Sequence, residues 1–286
     1  MQTFSYRSVS TVEEALAALA SPTARALGGG TDLIPMVREG RRQADLVVDV
    51  KGIPELGRLE IDAQGNLTIG AAVALHRVYG HPEVARRWPG LVDAASLIGG
   101  TAVQGRATLG GNLCTASPAG DSIPALIVHG ATLIVAGPAG RRSIPVAAFC
   151  IGPGRTVLGP GELLIAIQVP APRPRSGAAY LRFIPRNEMD IAVASSGVAL
   201  QLDAEGHIAA IDVALGAVGP TPIVVADAAA LALGQAPSAE MAAKLGAAAT
   251  AAARPIDDVR GTAAHRKRLV DVLTRRAFMA ALHRIG

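Results

Sequence analysis

The chain has 286 residues, half of them hydrophobic, with 17% charged and a formal net charge of +4. That is enough apolar material for one large domain or two modest ones. With aromatics at only 3%, aliphatic and alanine packing must fill the cores, and two cysteines outside any CxxC pair, Cys114 and Cys150, exclude zinc and iron–sulfur sites built by this chain alone.

At the N-terminus there is no charged-then-apolar signal pattern, and no apolar run in the chain reaches the ~18 residues of a membrane span. With free thiols suited to a reducing compartment, a cytoplasmic location is expected. Thr11 and Glu14 form a capping box ahead of the amphipathic helix "VEEALAALA", which Ser21-Pro22 stops. "ARAL", three glycines and a helix from about Asp32 to Glu39 follow. "ADLVVDV" reads as a buried strand, and "LEIDAQGNLTIGAAV" as two strands joined around Gln64-Gly65-Asn66. A helical region from His81 to Leu97 is interrupted at Pro89, a glycine-rich passage runs from Gly99 to Gly120, and "SIPALIVHGA" reads as an apolar helix. "ATLIVAG", "RSIPVAAF" and "ELLIAIQVP" are further strands, and this alternation argues for α/β architecture.

At Pro170 the texture changes. "VPAPRPRSG" marks a domain boundary, giving segments 1–174 and 175–286. Beyond it, "DIAVASSGVALQLDAEGHIAAIDVALGAVG" reads as an antiparallel meander with its turn at Glu205-Gly206, followed by alanine-rich helices from about Val224, Ser238 and Thr262. Positive charge concentrates in "HRKRLVDVLTRRAFMAALHRIG", a pattern of a solvated face or a subunit contact. It lacks the interleaved aromatics of a nucleic-acid module, so no nucleic-acid partner is expected.

Gly28-Gly29-Gly30, taken alone, is as compatible with a plain tight turn as with a ligand loop. The loop follows a short strand and opens a helix, however, so free N–H groups and a helix dipole converge in a way that suits an anion. Glycine lets backbone approach a ligand closely, while Thr31 and Asp32 can cap the helix and Thr31 can donate to a phosphate. No Lys-Ser or Lys-Thr follows, which rejects a P-loop, and Leu33 stands where a Rossmann fingerprint needs glycine. About eighty residues on, "ATLGGNLCTASPAGDSIPAL" carries Gly110-Gly111-Asn112, Ser117-Pro118 and Asp121 ahead of a helix. The plain reading is a pair of turns with Asp121 as an N-cap. Two glycine loops with small hydroxyl and amide side chains also suit a ligand with two phosphates and a sugar-like chain, whose hydroxyls Asp121 could bind.

"LGGGTDLI", "TLGGN" and "ASPAGD", in this order, with "YLRFIPRNEMDIAVASSGVAL" and "RPIDDVRGTAAHRKRLVDVLTRRA" further on, resemble the FAD-binding medium subunit of the molybdenum hydroxylases over the whole chain. That group includes xanthine dehydrogenase and carbon monoxide dehydrogenase. The resemblance implies an α+β fold: a p-cresol methylhydroxylase/vanillyl-alcohol oxidase type FAD-binding domain of two α/β subdomains, then a C-terminal domain with a small antiparallel sheet and a helix bundle. It implies that Leu27, Gly28, Gly29, Gly30, Thr31, Asp32, Leu33 and Ile34 wrap the FAD pyrophosphate. Thr108, Gly110, Gly111 and Asn112 complete that cradle as a second loop, with Ser117 beside it and Asp121 on ribityl or ribose hydroxyls. Ile98 lines the cofactor, and Leu164 lies against the isoalloxazine. Arg182 stands where xanthine dehydrogenases carry a lysine near the ring, and Ile191 where the carbon monoxide enzyme has an aromatic residue. Leu164 and Ile191 as simple core, and Arg182 as a surface ion pair, remain the plainer alternatives.

No acid–base residues and no metal ligands are expected on this chain, since flavin carries the redox chemistry. His76, His81, His129, His207, His265 and His283 are scattered and none lies in a glycine loop, which favours noncovalent FAD. The resemblance implies an oxidoreductase subunit active only in a complex, in a dimer of heterotrimers. A molybdopterin-binding large subunit oxidises substrate, and a small subunit with two [2Fe–2S] clusters delivers electrons to this FAD and on to NAD or another acceptor. The competing readings are a self-contained FAD oxidase, against which the ~110 residues after Pro170 count as too small a substrate domain, and a nonredox nucleotide-binding module, which would not be yellow.

Overall fold

The computed structural model describes residues 3–186 and 189–285. Its first layer is a parallel sheet ordered β1-β3-β2. Strand β1 (Ser5–Ser8) leads into α1 (Val12–Leu19), β2 (Ala24–Leu27) into α2 (Leu33–Arg38), and β3 (Leu46–Asp49) lies between the two strands. The capping box forms as expected: Glu14 N–H donates to Thr11 Oγ1 at 3.1 Å, and the Glu14 carboxylate accepts from the backbone N–H of Thr11 and of Ser10. All four residues of β1 are exposed. Its sequence "SYRS" therefore has no apolar alternation, and the strand is invisible to a pattern reading.

The second layer is a five-stranded antiparallel sheet ordered β4-β5-β10-β6-β7. It comprises β4 (Leu59–Ile61), β5 (Leu67–Gly70), β6 (Thr132–Gly137), β7 (Gly140–Pro145) and β10 (Leu163–Val169), with the small hairpin β8 (Cys150–Gly152) and β9 (Arg155–Thr156) between the last two. Six short helices link β5 to β6: α3 (Leu75–Tyr79), α4 (Pro82–Arg87), α5 (Pro89–Ala95), α6 (Thr101–Gln104), α7 (Leu109–Thr115) and α8 (Ser122–Val128). The central strand β10 serves two cores. Leu164 and Ile167 pack with Leu67, Trp88 and Phe149, while Leu163 and Ile165 pack with Val12, Val48 and Leu56. Burial on both faces is why "LLIAI" reads as a continuous apolar run rather than an alternating one.

The passage 99–120 departs from the sequence reading. Expected as loop, it holds α6 and α7, and Gly110 and Gly111 lie inside α7. Glycine's poor helix propensity hides a helix that tertiary packing enforces.

A third sheet, β11 (Ser176–Phe183), β12 (Ala194–Leu202), β13 (Ile208–Gly216) and β14 (Ile223–Val224), is an antiparallel meander. It packs with α9 (Ala228–Ala232), α10 (Ala239–Ala252) and α11 (Ala263–His283) around Val198, Leu245 and Phe278. The meander starts one strand earlier than "DIAVASSG" suggests. Where the chain leaves β10, the buried Trp88 donates its indole N–H to the Pro170 carbonyl at 2.9 Å, with the Arg87 guanidinium 4.8 Å from the ring centroid. Arg284 of the C-terminal segment forks onto Asp93 of α5 at 2.6 and 2.9 Å and donates to Ala178 O. A Cβ at Gly90 would lie 3.1 Å from Ala178, so α5 rides directly on β11.

A cleft between two glycine segments

From β2 the chain turns through Gly28-Gly29-Gly30 into α2. Gly30 has φ +78°, a left-handed conformation that glycine adopts without a steric cost. At Gly29 the requirement is different: a Cβ there would stand 1.9 Å from the Arg106 carbonyl oxygen. The first glycine segment thus touches the backbone that leads into α7. Thr108 caps α7, its Oγ1 accepting from Gly111 N–H at 2.8 Å. A Cβ at Gly110 would lie 2.4 Å from Ala71 O, which seats the first turn of α7 on the chain leaving β5. A hydroxyl bond from Thr115 to Asp32 Oδ2, 2.9 Å, staples the two segments across 83 positions. Asp32 therefore does not cap α2 as expected; no side-chain cap bond forms there, because its carboxylate is turned to α7.

Between the segments lies a cleft of about 570 Å³, within the ~300–1,000 Å³ of small-molecule sites. Gly28, Gly29, Gly30, Thr31, Asp32 and Leu33 form one wall; Thr108, Gly110, Gly111 and Asn112 form the facing one, with Ile98 and Leu164. Both α2 and α7 begin on these walls, so the free N–H groups and positive dipole ends of two first turns border one space. Leu164 is also core, only 2% exposed. Glu162 on the rim accepts from Gly159 N–H and from both ends of the Arg142 guanidinium, whose hydrogen bonds hold its carboxyl below the usual range.

Six expected residues lie outside the cleft lining. Leu27 and Ile34 pack beneath the first segment with Val37 and Val47. Ser117 sits in the turn before α8, its hydroxyl accepting from Ala119 N–H. Ile191 is exposed between β11 and β12. Asp121 and Arg182 form a buried ion pair rather than a surface one, their side chains 8% and 5% exposed. Tyr180 donates its hydroxyl to the other Asp121 oxygen. Burial pushes the carboxyl of Asp121 and the phenol of Tyr180 up, and Arg182 opposes this at both groups. Arg182 Nε is buried without an acceptor. This cluster reaches the cleft through the next residue, Ser122, whose hydroxyl donates to Asn112 Oδ1 at 2.7 Å.

The sequence reading missed Arg25, Arg42, Thr115 and Glu162 on the cleft. Arg25, three residues before the glycines inside an otherwise apolar strand, carried the one available signal.

Residues 2–172 match the family described as the FAD binding domain in molybdopterin dehydrogenase, and residues 179–281 match the CO dehydrogenase flavoprotein C-terminal domain. The carbon monoxide dehydrogenase medium chain of Hydrogenophaga pseudoflava is 31% identical over 280 residues, covering 97% of this chain and 96% of the relative. The putative xanthine dehydrogenase FAD-binding subunit of Escherichia coli is 31% identical over 221 residues, 77% and 75% of the two chains. Among solved structures, Hydrogenophaga pseudoflava carbon monoxide dehydrogenase lacking the Mo-pyranopterin moiety matches with a TM-score of 0.95, 31% identity and coverage of 100% and 99%. Quinoline 2-oxidoreductase from Pseudomonas putida 86 matches at 0.91, with 28% identity and coverage of 99% and 98%.

Proposed function

Because the chain belongs to the family of FAD-binding medium subunits of the molybdenum hydroxylases, we propose that it holds FAD noncovalently in the cleft between its two glycine segments and works as the electron-transfer subunit of a multisubunit oxidoreductase. The cleft fits the group. Gly28 and Gly111 leave its walls bare, with Thr108 Oγ1 the nearest atom to an added Cβ at 3.6 and 3.0 Å, so a ligand can approach the main chain closely there. That bare, two-sided wall is the observation that carries the reading.

FAD, when bound, supplies the redox chemistry. The chain's own part is positional. Gly28 to Leu33 and Gly110 offer N–H groups, and Thr108 and Asn112 a side-chain hydroxyl and amide, to a phosphate-bearing chain that Gly111 lets come close, while Ile98 and Leu164 present apolar surface and exclude water. Asp121, clamped by Tyr180 and Arg182, orients α8 and through Ser122 the Asn112 amide. Substrate oxidation and the [2Fe–2S] clusters fall to a molybdopterin-binding large subunit and a small subunit, in a dimer of heterotrimers. A plant-type or comparable cluster takes four cysteines, and this chain has two. The electrons leave this subunit for NAD or another acceptor. The domains are read as 1–174 and 175–286. No helix among the described residues is long and apolar enough to cross a membrane, and a cytoplasmic complex is proposed.

The test is direct. The purified chain should be yellow with near-stoichiometric flavin released by denaturation, and should co-purify with cluster- and molybdenum-bearing subunits. A colourless protein that takes up no added FAD would sink the reading.

A further inference from the structure

We propose that Arg25 and Arg42, the two arginines lining the cleft, bind the diphosphate half of the FAD; the inference rests on the function read above. The charged residues lining the cleft are Arg25, Asp32, Arg42 and Glu162. Both acids are already occupied, Asp32 by the Thr115 hydroxyl and Glu162 by Arg142 and Gly159 N–H. Neither arginine has a carboxylate within ion-pair distance among the described residues, in contrast to Arg41 next door, which pairs with Glu39.

Arg25 is fixed rather than free. Its Nη1 donates to Pro22 O at 2.7 Å and to Ala24 O at 2.8 Å, which aims the guanidinium from β2, and its Nε is buried without an acceptor. Burial, and then the Arg42 charge, hold the Arg25 guanidinium below its ordinary value, with Asp45 acting the other way. Both cations line one cleft, and like charges in a partly desolvated space repel. A ligand with two negative charges turns that repulsion into attraction. The glycines contribute N–H dipoles but no formal charge, so among the described residues lining the cleft this pair is the source of counter-charge for a diphosphate. Charge-assisted contacts of this kind are strong and geometrically specific for arginine.

The experiment titrates FAD into the flavin-stripped full chain at ~20 and ~200 mM salt, a range over which screening changes markedly, with ADP as competitor. Arg25→Gln and Arg42→Gln should each raise the FAD Kd about tenfold at low salt, flatten its salt dependence and weaken competition by ADP. Arg25→Lys should retain the salt dependence, and Arg41→Gln should stay within about twofold. Melting curves of the stripped variants identify any that fail to fold, in which case the lysine variant and Arg42→Gln decide. Unchanged Kd and salt slope in Arg25→Gln and Arg42→Gln would overturn the inference and leave the FAD reading intact. A wild-type chain that ignores FAD but binds ADP through these arginines would uphold their diphosphate binding and remove the FAD reading. Binding of neither removes both.

Discussion

At Gly29 an added Cβ would stand 1.9 Å from the Arg106 carbonyl, whereas at Gly111 on the facing segment the nearest atom would be the hydroxyl of its own capping residue, at 3.0 Å. The same division repeats within each segment. Gly29 and Gly110 are pressed against other stretches of backbone, while Gly28 and Gly111 have only Thr108 Oγ1 nearby. Each glycine pair thus combines one residue that lets two chain segments touch with one that leaves the cleft wall bare. Sequence similarity between "GGG" and "GGN" hides this, because glycine is selected at both kinds of position for lacking the same atom.

The largest effect is expected at Gly29. Gly29→Val has to force the first segment away from Arg106, and an insertion against backbone belongs to the rare class costing ~4 kcal/mol or more. The stripped protein should melt far lower, and FAD should be lost with the fold rather than selectively; a parental melting curve would refute the contact. Gly111→Leu should do the reverse. It places a side chain on the cleft wall at a helical position, so the FAD Kd should rise ~100-fold, about 2.7 kcal/mol. The stripped protein should hold or gain up to ~1 kcal/mol from relieved glycine entropy. Equal losses of stability and affinity in this variant would show that Gly111 is a packing residue after all. Thr108→Ala removes the cap of α7 and should cost ~1 kcal/mol by denaturant titration. Thr115→Val, which cuts the exposed staple to Asp32, should cost only ~0.5 kcal/mol but raise the FAD off-rate measurably, since it loosens one wall against the other.

What could be read from sequence was local. The Thr11–Glu14 box, the proline stops and the apolar run of β10 each depend on neighbours a few residues away. Strand β1 escaped because none of its residues is buried, and α7 because two glycines sit in a seven-residue helix. The glycine segments are legible as a pair, but the second reads as a loop where the fold makes a helix. The clamp on Asp121 comes from residues 59 and 61 positions distant, and periodicity has no means of pairing them. Arg25 and Arg42 carry no motif; only the fold sets them on one cleft.

Trp88 is the sole tryptophan in 286 residues, fully buried, with its indole N–H tied to Pro170 where the chain passes from the five-stranded sheet toward the meander. The protein's tryptophan emission therefore comes from one known point, in the core beneath the cleft residue Leu164. A red shift in that emission reports wetting of the core that ends at the Pro170 crossing, while flavin absorbance reports the cleft. Followed together during unfolding, the two colours tell whether the cofactor leaves before the C-terminal half lets go, or only once it has.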